Sequence, residues 1–178
     1  MRVLGVDPGS RRTGWGVVEK HGNRLVPIAH GCLVPPASAD LPRRLAFLAA
    51  GIADAIERHA PQCVVVEEAF YHENVRSTLV LGQVRGAIIV TAVQHETEVH
   101  EYSPREIKMS VTGNGGATKE QVGFMVVRLL GLQEAPQVDA ADALAGAICH
   151  LNRAGFDLPR RRTPASQRLL ALLAKAGR

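Results

Sequence analysis

The spacing of apolar residues predicts a series of short strands at the start of the chain. Between Arg2 and Asp7 every side chain is apolar or absent, a pattern typical of a strand buried in a sheet. Turn residues follow at Pro8-Gly9-Ser10 and again at His21-Gly22-Asn23, and they separate three extended segments. These segments are 2–7, 13–19 and 24–34. We therefore expect an antiparallel meander.

Helical periodicity then alternates with two further strands. Apolar residues at steps of three and four predict an amphipathic helix from an Asp40 cap to about residue 59. Strands are predicted at 63–68, which ends in carboxylates, and at the sheet edge over 98–102. A helix over 74–95 is apolar around most of its circumference, which predicts a core or interface position. Shorter helices are predicted from Pro104, from a Thr118 and Gln121 capping box to about Leu130, and over 138–152. The order predicts an α/β fold with a mixed sheet.

Composition adds that the chain is an ordinary globular domain. Of its 178 residues 46% are hydrophobic and 21% charged, and no apolar run reaches the roughly 18 residues of a membrane span. The first residues lack the apolar segment of a signal peptide. Three scattered cysteines, Cys32, Cys63 and Cys149, argue against a disulfide framework and against a zinc site. We expect a cytoplasmic protein with no membrane association.

Charge divides the chain into two parts. The net charge is +4, whereas residues 154–178 alone hold six basic residues and one acid. The body therefore carries about −1, and its affinity for nucleic acid must come from local placement of Lys and Arg. We predict a folded domain over 1–153 and a basic C-terminal tail over 154–178.

Carboxylates at the ends of predicted elements are the candidate chemistry. Asp7 ends the first strand, and Glu67 and Glu68 end the fourth, although strand alternation alone does not choose between these two. Asp139 and Asp142 lie about 60° apart on one helix face. Ala143 and Gly146 share that face and should let the helix approach the sheet. Each acid alone has an ordinary structural interpretation as a cap, a turn residue or a solvated end. Together they predict an all-oxygen site for Mg²⁺ or Mn²⁺.

Four ordered motifs then resemble a known family. They are Asp7-Pro8-Gly9-Ser10 with Thr13-Gly14-Trp15-Gly16, Val65-Val66-Glu67-Glu68-Ala69-Phe70, Leu81-Gly82-Gln83-Val84-Arg85-Gly86 and Asp139-Ala140-Ala141-Asp142-Ala143-Leu144-Ala145. Over about residues 1–152 the chain resembles the RuvC family of bacterial Holliday-junction resolvases. The resemblance implies an RNase H-like fold with a five-stranded mixed sheet flanked by helices. It also implies a metal-dependent endonuclease with two Mg²⁺ or Mn²⁺ ions.

The same resemblance assigns the site residues. Its acidic tetrad maps onto Asp7, Glu67, Asp139 and Asp142, although the family often has an uncharged residue where Glu68 stands. The DNA contacts that it implies are Phe70, Tyr71, Lys108 and Lys119, with Arg76 and Arg85 as further candidates. The implied partners are a four-way DNA junction, a second copy of the chain bound through the 74–95 helix, and the branch-migration motor formed by RuvA and RuvB.

Three other functions share some of these sequence features. A non-catalytic junction-binding module would not need four converging acids. An RNase H acting on RNA:DNA hybrids usually takes its Glu from a helix, whereas Glu67 lies in a predicted strand. An actin-like ATPase shares the Asp-x-Gly-Ser loop but needs two lobes, for which the chain is too short. His72, His95, His100 and His150 show no ligand spacing and are expected to be structural.

Overall fold

Five strands form one mixed sheet in the order β3-β2-β1-β4-β5. The structure is a computed structural model that describes residues 1–68 and 74–154. The strands are β1 (Arg2–Asp7), β2 (Thr13–His21), β3 (Arg24–Leu33), β4 (Cys63–Glu67) and β5 (Glu98–Tyr102). The helices are α1 (Leu41–His59), α2 (Val75–Gln94), α3 (Pro104–Thr112), α4 (Lys119–Leu130) and α5 (Val138–Arg153). The predicted α/β class is confirmed.

Strand direction brings two carboxylates to one edge of the sheet. β1, β2 and β3 form the predicted antiparallel meander, whereas β4 runs parallel to β1 and β5 runs parallel to β4. Val6 lies opposite Val66, so Asp7 and Glu67, the next residues of the two strands, end side by side. Carboxyl ends of parallel strands are where α/β sheets usually bind ligands.

The two faces of the sheet are covered by different helices. Val3, Cys63 and Val65 belong to a buried cluster with residues of α3, α4 and α5. Leu4 and Val64 belong to the opposite cluster, with residues of α1 and α2. Because side chains alternate along a strand, Asp7 shares the face of Val3, and Glu67 shares the face of Cys63 and Val65. Both acids therefore point to the side that α5 covers.

Glycines on the strands let α5 lie directly on the sheet. A Cβ on Gly5 would come within 1.9 Å of the Ala143 carbonyl oxygen, and a Cβ on Gly14 within 1.9 Å of the Asp139 carbonyl oxygen. The predicted close approach is confirmed, but its cause lies mainly on the strand side. A Cβ on Gly146 would meet Val65 at 3.5 Å, an ordinary contact that does not require glycine.

The helix boundaries follow the predicted caps. The Asp40 carboxylate accepts from the Arg43 amide, and the Thr118 and Gln121 capping box is formed. Ser103 and Glu106 form a second capping box at the start of α3, which the sequence analysis did not anticipate. β2 is two residues longer than predicted and β3 one residue shorter. These are small shifts at element ends.

Helix α2 buries one side and exposes the other. Val84, Ile88 and Ala92 are buried against the sheet, whereas its exposed apolar residues are each more than half accessible: Val75, Leu79, Val90 and Val93. By length and composition alone α2 could cross a membrane, a test that helices of water-soluble proteins also pass. Its Arg85 forms an ion pair with Glu101 of β5, which fixes α2 beside the sheet. Exposure of one apolar side is typical of an interface helix.

Candidate metal and nucleic-acid site

Asp7 lies at the centre of a group of interacting carboxylates. Burial, and then the negative charges of Glu67, Asp142 and Asp139, raise the pKa of Asp7 to about 7, while the charge of Lys119 opposes them. The other three acids of the predicted tetrad therefore all act on Asp7 in the folded chain. Carboxylates held together in this way disfavour each other's ionised form, and a divalent cation relieves that repulsion.

Glu67 is held at the end of β4 by contacts of its main chain. The Arg85 guanidinium donates to the Glu67 carbonyl oxygen at 3.0 Å and pairs with the Glu101 carboxylate. Burial, and then the charge of Asp142, raise the pKa of the Glu67 carboxyl, whereas Lys119 and Lys108 lower it. The Arg85 side chain, a candidate for DNA contact from sequence, is only 17% exposed. It therefore serves to position Glu67.

Glu68 is placed differently from Glu67. Its amide donates to the Tyr102 carbonyl oxygen at 2.9 Å, just beyond the end of β4. Its side chain is exposed, and the acids that raise the pKa of Asp7 are Glu67, Asp142 and Asp139. Strand alternation alone could not choose between Glu67 and Glu68. The structure favours Glu67 as the acid that faces Asp7.

Asp139 and Asp142 project from the first turns of α5, and each has a cationic partner. Asp139 Oδ2 lies 3.5 Å from Arg12 Nε, and Asp142 Oδ2 lies 2.8 Å from Lys119 Nζ. The N-cap of α5 is Gln137, which makes no side-chain capping bond among the described residues. Capping therefore does not account for either acid, although Asp139 gains from the positive end of the helix dipole.

The turn after Asp7 is fixed by a residue that sequence reasoning missed. The buried Thr13 hydroxyl donates to the Gly9 carbonyl at 2.8 Å and accepts from the Gly9 amide at 3.2 Å. A Cβ on Gly9 would approach the Arg12 carbonyl oxygen to 2.3 Å. Thr13 and Gly9 thus close the loop that leads from Asp7 to β2. Both residues belong to the first of the four sequence motifs, and that was the one indication in the sequence that they matter.

The two predicted lysines lie beside the acids. A cavity of about 150 Å³ is lined by Glu67, Asp142, Lys108 and Lys119, together with Pro104, Ile107 and Val122. Lys108 comes from α3 and Lys119 from the start of α4. The arrangement presents oxygen ligands for a hard cation and ammonium groups within the same cavity, a combination suited to a phosphate group.

Among the remaining predicted DNA contacts, the structure describes Arg76. Phe70, Tyr71 and the basic tail lie outside the described residues. Arg76 lines a separate cleft of about 500 Å³, together with Arg11 and Arg44. The cleft also includes Ser10 of the turn that follows Asp7. Arginines from three segments therefore form a basic region beyond that turn, and of these only Arg76 is predicted from the sequence.

Comparison with known proteins gives consistent matches. The family model described as crossover junction endodeoxyribonuclease RuvC matches residues 3–150. The crossover junction endodeoxyribonuclease RuvC of Nitrosomonas eutropha is 53% identical over 150 residues, which are 84% of each chain. The Thermus thermophilus RuvC structure superposes with a TM-score of 0.79 at 32% identity, covering 88% of this chain and 96% of that chain. The same protein in complex with Holliday junction substrate gives a TM-score of 0.82 at the same identity and coverage.

Proposed function

This chain belongs to the RuvC family of crossover junction endodeoxyribonucleases, and from that membership we propose that it cuts four-way DNA junctions. Its five-stranded mixed sheet with helices on both faces is the RNase H-like fold of the family's solved structures. The chain is a nuclease of DNA recombination intermediates. The finer proposal is that it makes paired, symmetric nicks through metal-assisted phosphodiester hydrolysis.

The observation that supports this proposal is the convergence of four carboxylates from three elements. Asp7 and Glu67 end adjacent strands, and Asp139 and Asp142 face them from α5. A module that only bound junctions would lose affinity by presenting these charges to a phosphate backbone. The alternative RNase H activity on hybrids is opposed by the family membership and by the strand position of Glu67.

The four acids fit Mg²⁺ or Mn²⁺, because such ions prefer carboxylate oxygens. Bound there, two ions would activate a water molecule and stabilise the departing oxygen. The chain's own residues hold and orient the acids. Arg85 fixes the carbonyl of Glu67, and Arg12 lies beside Asp139. Lys108 and Lys119 line the cavity and are proposed to hold the phosphate next to the cleaved bond.

Symmetric cutting also requires two active sites, and α2 is the proposed dimer surface. Its exposed apolar side, formed by Val75, Leu79, Val90 and Val93, would be covered by the same helix of a second copy. A two-fold dimer matches the near two-fold symmetry of a four-way junction. Phe70, Tyr71 and Arg76 are proposed DNA contacts. Branch-migration proteins RuvA and RuvB remain proposed partners, and the cytoplasm the proposed location.

Cleavage assays with three substrates test the proposal. A synthetic four-way junction, a linear duplex and an RNA:DNA hybrid would each be incubated with the protein in Mg²⁺, Mn²⁺ or EDTA. We expect paired nicks in the junction only, and none in EDTA. Cleavage of the hybrid in preference to the junction would favour the RNase H alternative.

Amide substitutions separate an enzyme from a binding module. Asp7→Asn, Glu67→Gln, Asp139→Asn and Asp142→Asn should each reduce nicking at least about a hundredfold while junction binding is retained, because a neutral amide is a poor ligand for Mg²⁺. Glu68→Gln is the matched control and should keep most of the activity. Full nicking by Asp7→Asn would contradict the metal site. Loss of nicking in Glu68→Gln alone would move the ligand by one residue.

A further inference from the structure

Three metal-ligating side chains meet in the protein core, away from the carboxylates. Cys63 is the first residue of β4, whereas Glu67 is the last. The Cys63 sulfur, one ring nitrogen of His100 and one ring nitrogen of His150 all lie within 4.8 Å of one another. They come from β4, β5 and α5, which explains why their spacing along the sequence predicted no site.

The surroundings orient the His150 ring, and of the three side chains only His100 is partly exposed. Cys63 and His150 are buried, while the His100 side chain is 25% exposed. The Tyr102 hydroxyl lies 2.9 Å from His150 Nδ1 and fixes the plane of that ring. Hydrogen bonds of this kind orient histidine ligands in metal sites.

A carboxylate stands beside the group. Glu98 is the partner of Cys63 in the strand register, and its Oε1 lies 3.7 Å from His100 Nε2. Burial, and then the charge of Glu98, raise the pKa of the Cys63 thiol to about 12, so the thiolate forms only with a cation bound to it. The Glu98 carboxylate lies outside the group of three, but its exposed side chain can rotate towards the group as a fourth ligand.

The chemistry of this donor set differs from that of the acidic tetrad. One thiolate and two imidazoles suit Zn²⁺, whereas Mg²⁺ and Mn²⁺ prefer oxygen. Zinc bond lengths of roughly 2.0 to 2.3 Å place tetrahedral ligand atoms about 3.5 Å apart. The ligand atoms lie within 4.8 Å of one another, so they approach by about 1 Å when the ion binds.

We propose that Cys63, His100 and His150 bind one Zn²⁺ ion, with Glu98 as the fourth ligand. Binding displaces the Cys63 thiol proton to solvent and leaves the sulfur as a thiolate. The ion joins β4, β5 and α5, so it stabilises the domain at the end of the sheet opposite to the tetrad. This site goes beyond the proposed nuclease function and does not depend on it.

Cobalt titration of the full chain tests the site without any activity assay. The protein is stripped with EDTA, dialysed, and supplied with excess Mg²⁺ to occupy the carboxylates. Added Co²⁺ should give one equivalent of tetrahedral visible absorption and a thiolate charge-transfer band in the near ultraviolet. Zn²⁺ should abolish both signals and raise the unfolding temperature, because it binds only the folded chain.

Variants identify the ligands. Cys63→Ser should lose the thiolate band, and His100→Ala should weaken Zn²⁺ binding by about tenfold or more. Cys149→Ser, a buried cysteine outside the group, and Asp7→Asn should both bind as the parent does. A parent chain without the thiolate band, or unchanged Zn²⁺ affinity in His100→Ala, would overturn the proposal. Because His100 is partly exposed, its variant decides the outcome if Cys63→Ser fails to fold.

Discussion

Among single residues, Asp7 shows the effect of burial beside other carboxylates. Its pKa is about 7 in the folded chain instead of 3.8, so the folded state holds its proton more tightly than the unfolded state does. Stability from this group is present below pH 3.8 and is lost as pH rises towards 7. Without divalent ions the charge of Asp7 therefore destabilises the protein at neutral and alkaline pH.

We predict that Asp7→Asn stabilises the metal-free protein, and more so at pH 8 than at pH 5. One pKa unit corresponds to about 1.4 kcal/mol, so the gain should be larger at pH 8 by on the order of 2 kcal/mol. Urea unfolding in EDTA at the two pH values measures it. Asp54→Asn, an exposed carboxylate on α1, should show little change at either pH. Equal gains at pH 5 and pH 8 for Asp7→Asn would contradict the raised pKa.

Lys119 is placed to interact both with an acid of the tetrad and with a phosphate. Its ammonium group contacts Asp142 at 2.8 Å, and the residue lines the cavity proposed for phosphate. Lys119→Ala and Lys108→Ala should each weaken junction binding and lower the log–log salt slope by roughly 0.9 per lost phosphate contact on duplex arms. Binding measured between low and moderate salt gives the slope. Lys20→Ala is the control, since Lys20 donates to the Leu151 carbonyl. An unchanged slope would assign both lysines to the solvated surface.

For the secondary-structure elements, the contact of α5 with β2 sets the position of Asp139. Gly14→Ala would place a Cβ 1.9 Å from the Asp139 carbonyl oxygen, and backbone atoms on both sides leave no flexible group to move. We expect destabilisation of about 3 kcal/mol or more, or failure to fold. The matched control is Gly123→Ala in α4, where nothing lies within 4 Å of the new Cβ. That change should stabilise by up to about 1 kcal/mol. Thermal unfolding compares the two, and a neutral Gly14→Ala would contradict the tight contact.

The exposed side of α2 is the surface through which we predict that two copies of the chain form a dimer. Leu79 is 65% exposed in the single chain, and a charge there should be excluded from an apolar interface. Leu79→Glu should therefore shift a micromolar sample from dimer to monomer in sedimentation velocity and reduce paired nicking. Phe124→Glu, at a site 63% exposed on α4, should leave the dimer intact. A wild-type protein that is monomeric yet makes paired nicks would contradict the assignment.

In the whole molecule, positive charge is concentrated in residues 154–178, which have a net charge of +5. We predict that removing residues 155–178 lowers junction affinity in a salt-dependent, sequence-independent way, because those charges displace counterions. Single-turnover cleavage at saturating protein should be unchanged, since the tail contains none of the four acids. Fluorescence anisotropy over a salt series and quenched-flow nicking measure the two effects. A folded truncation that has lost single-turnover cleavage would refute the separation.

Most of this architecture could be predicted from the sequence, because local patterns of apolar and capping residues determine where the elements begin and end. Periodicity and caps such as Asp40 and Thr118 identified the elements, and the motifs identified Asp7 and Asp142. Other features depend on distant parts of the chain and left no local signal. The partners Arg12 and Arg85 became apparent only when the strands were paired. The group formed by Cys63, His100 and His150 is likewise a product of tertiary packing. The choice between Glu67 and Glu68 also needed the structure, because it depends on which face of the sheet Cys63 and Val65 occupy.

Because the carboxylates and α2 lie on different faces of the sheet, their residues can change independently as related sequences diverge. Asp7 and Glu67 point to the side covered by α5, whereas the exposed apolar side of α2 belongs to the opposite layer. Substitutions that remodel the surface of α2 therefore need not disturb the carboxylates. Selection can therefore alter the proposed self-association and preserve the chemistry, because the residues behind them belong to different buried clusters. A change at Leu79 appears in both copies of the proposed dimer and should be tolerated wherever the two new side chains still pack together, while Gly14 has no such freedom.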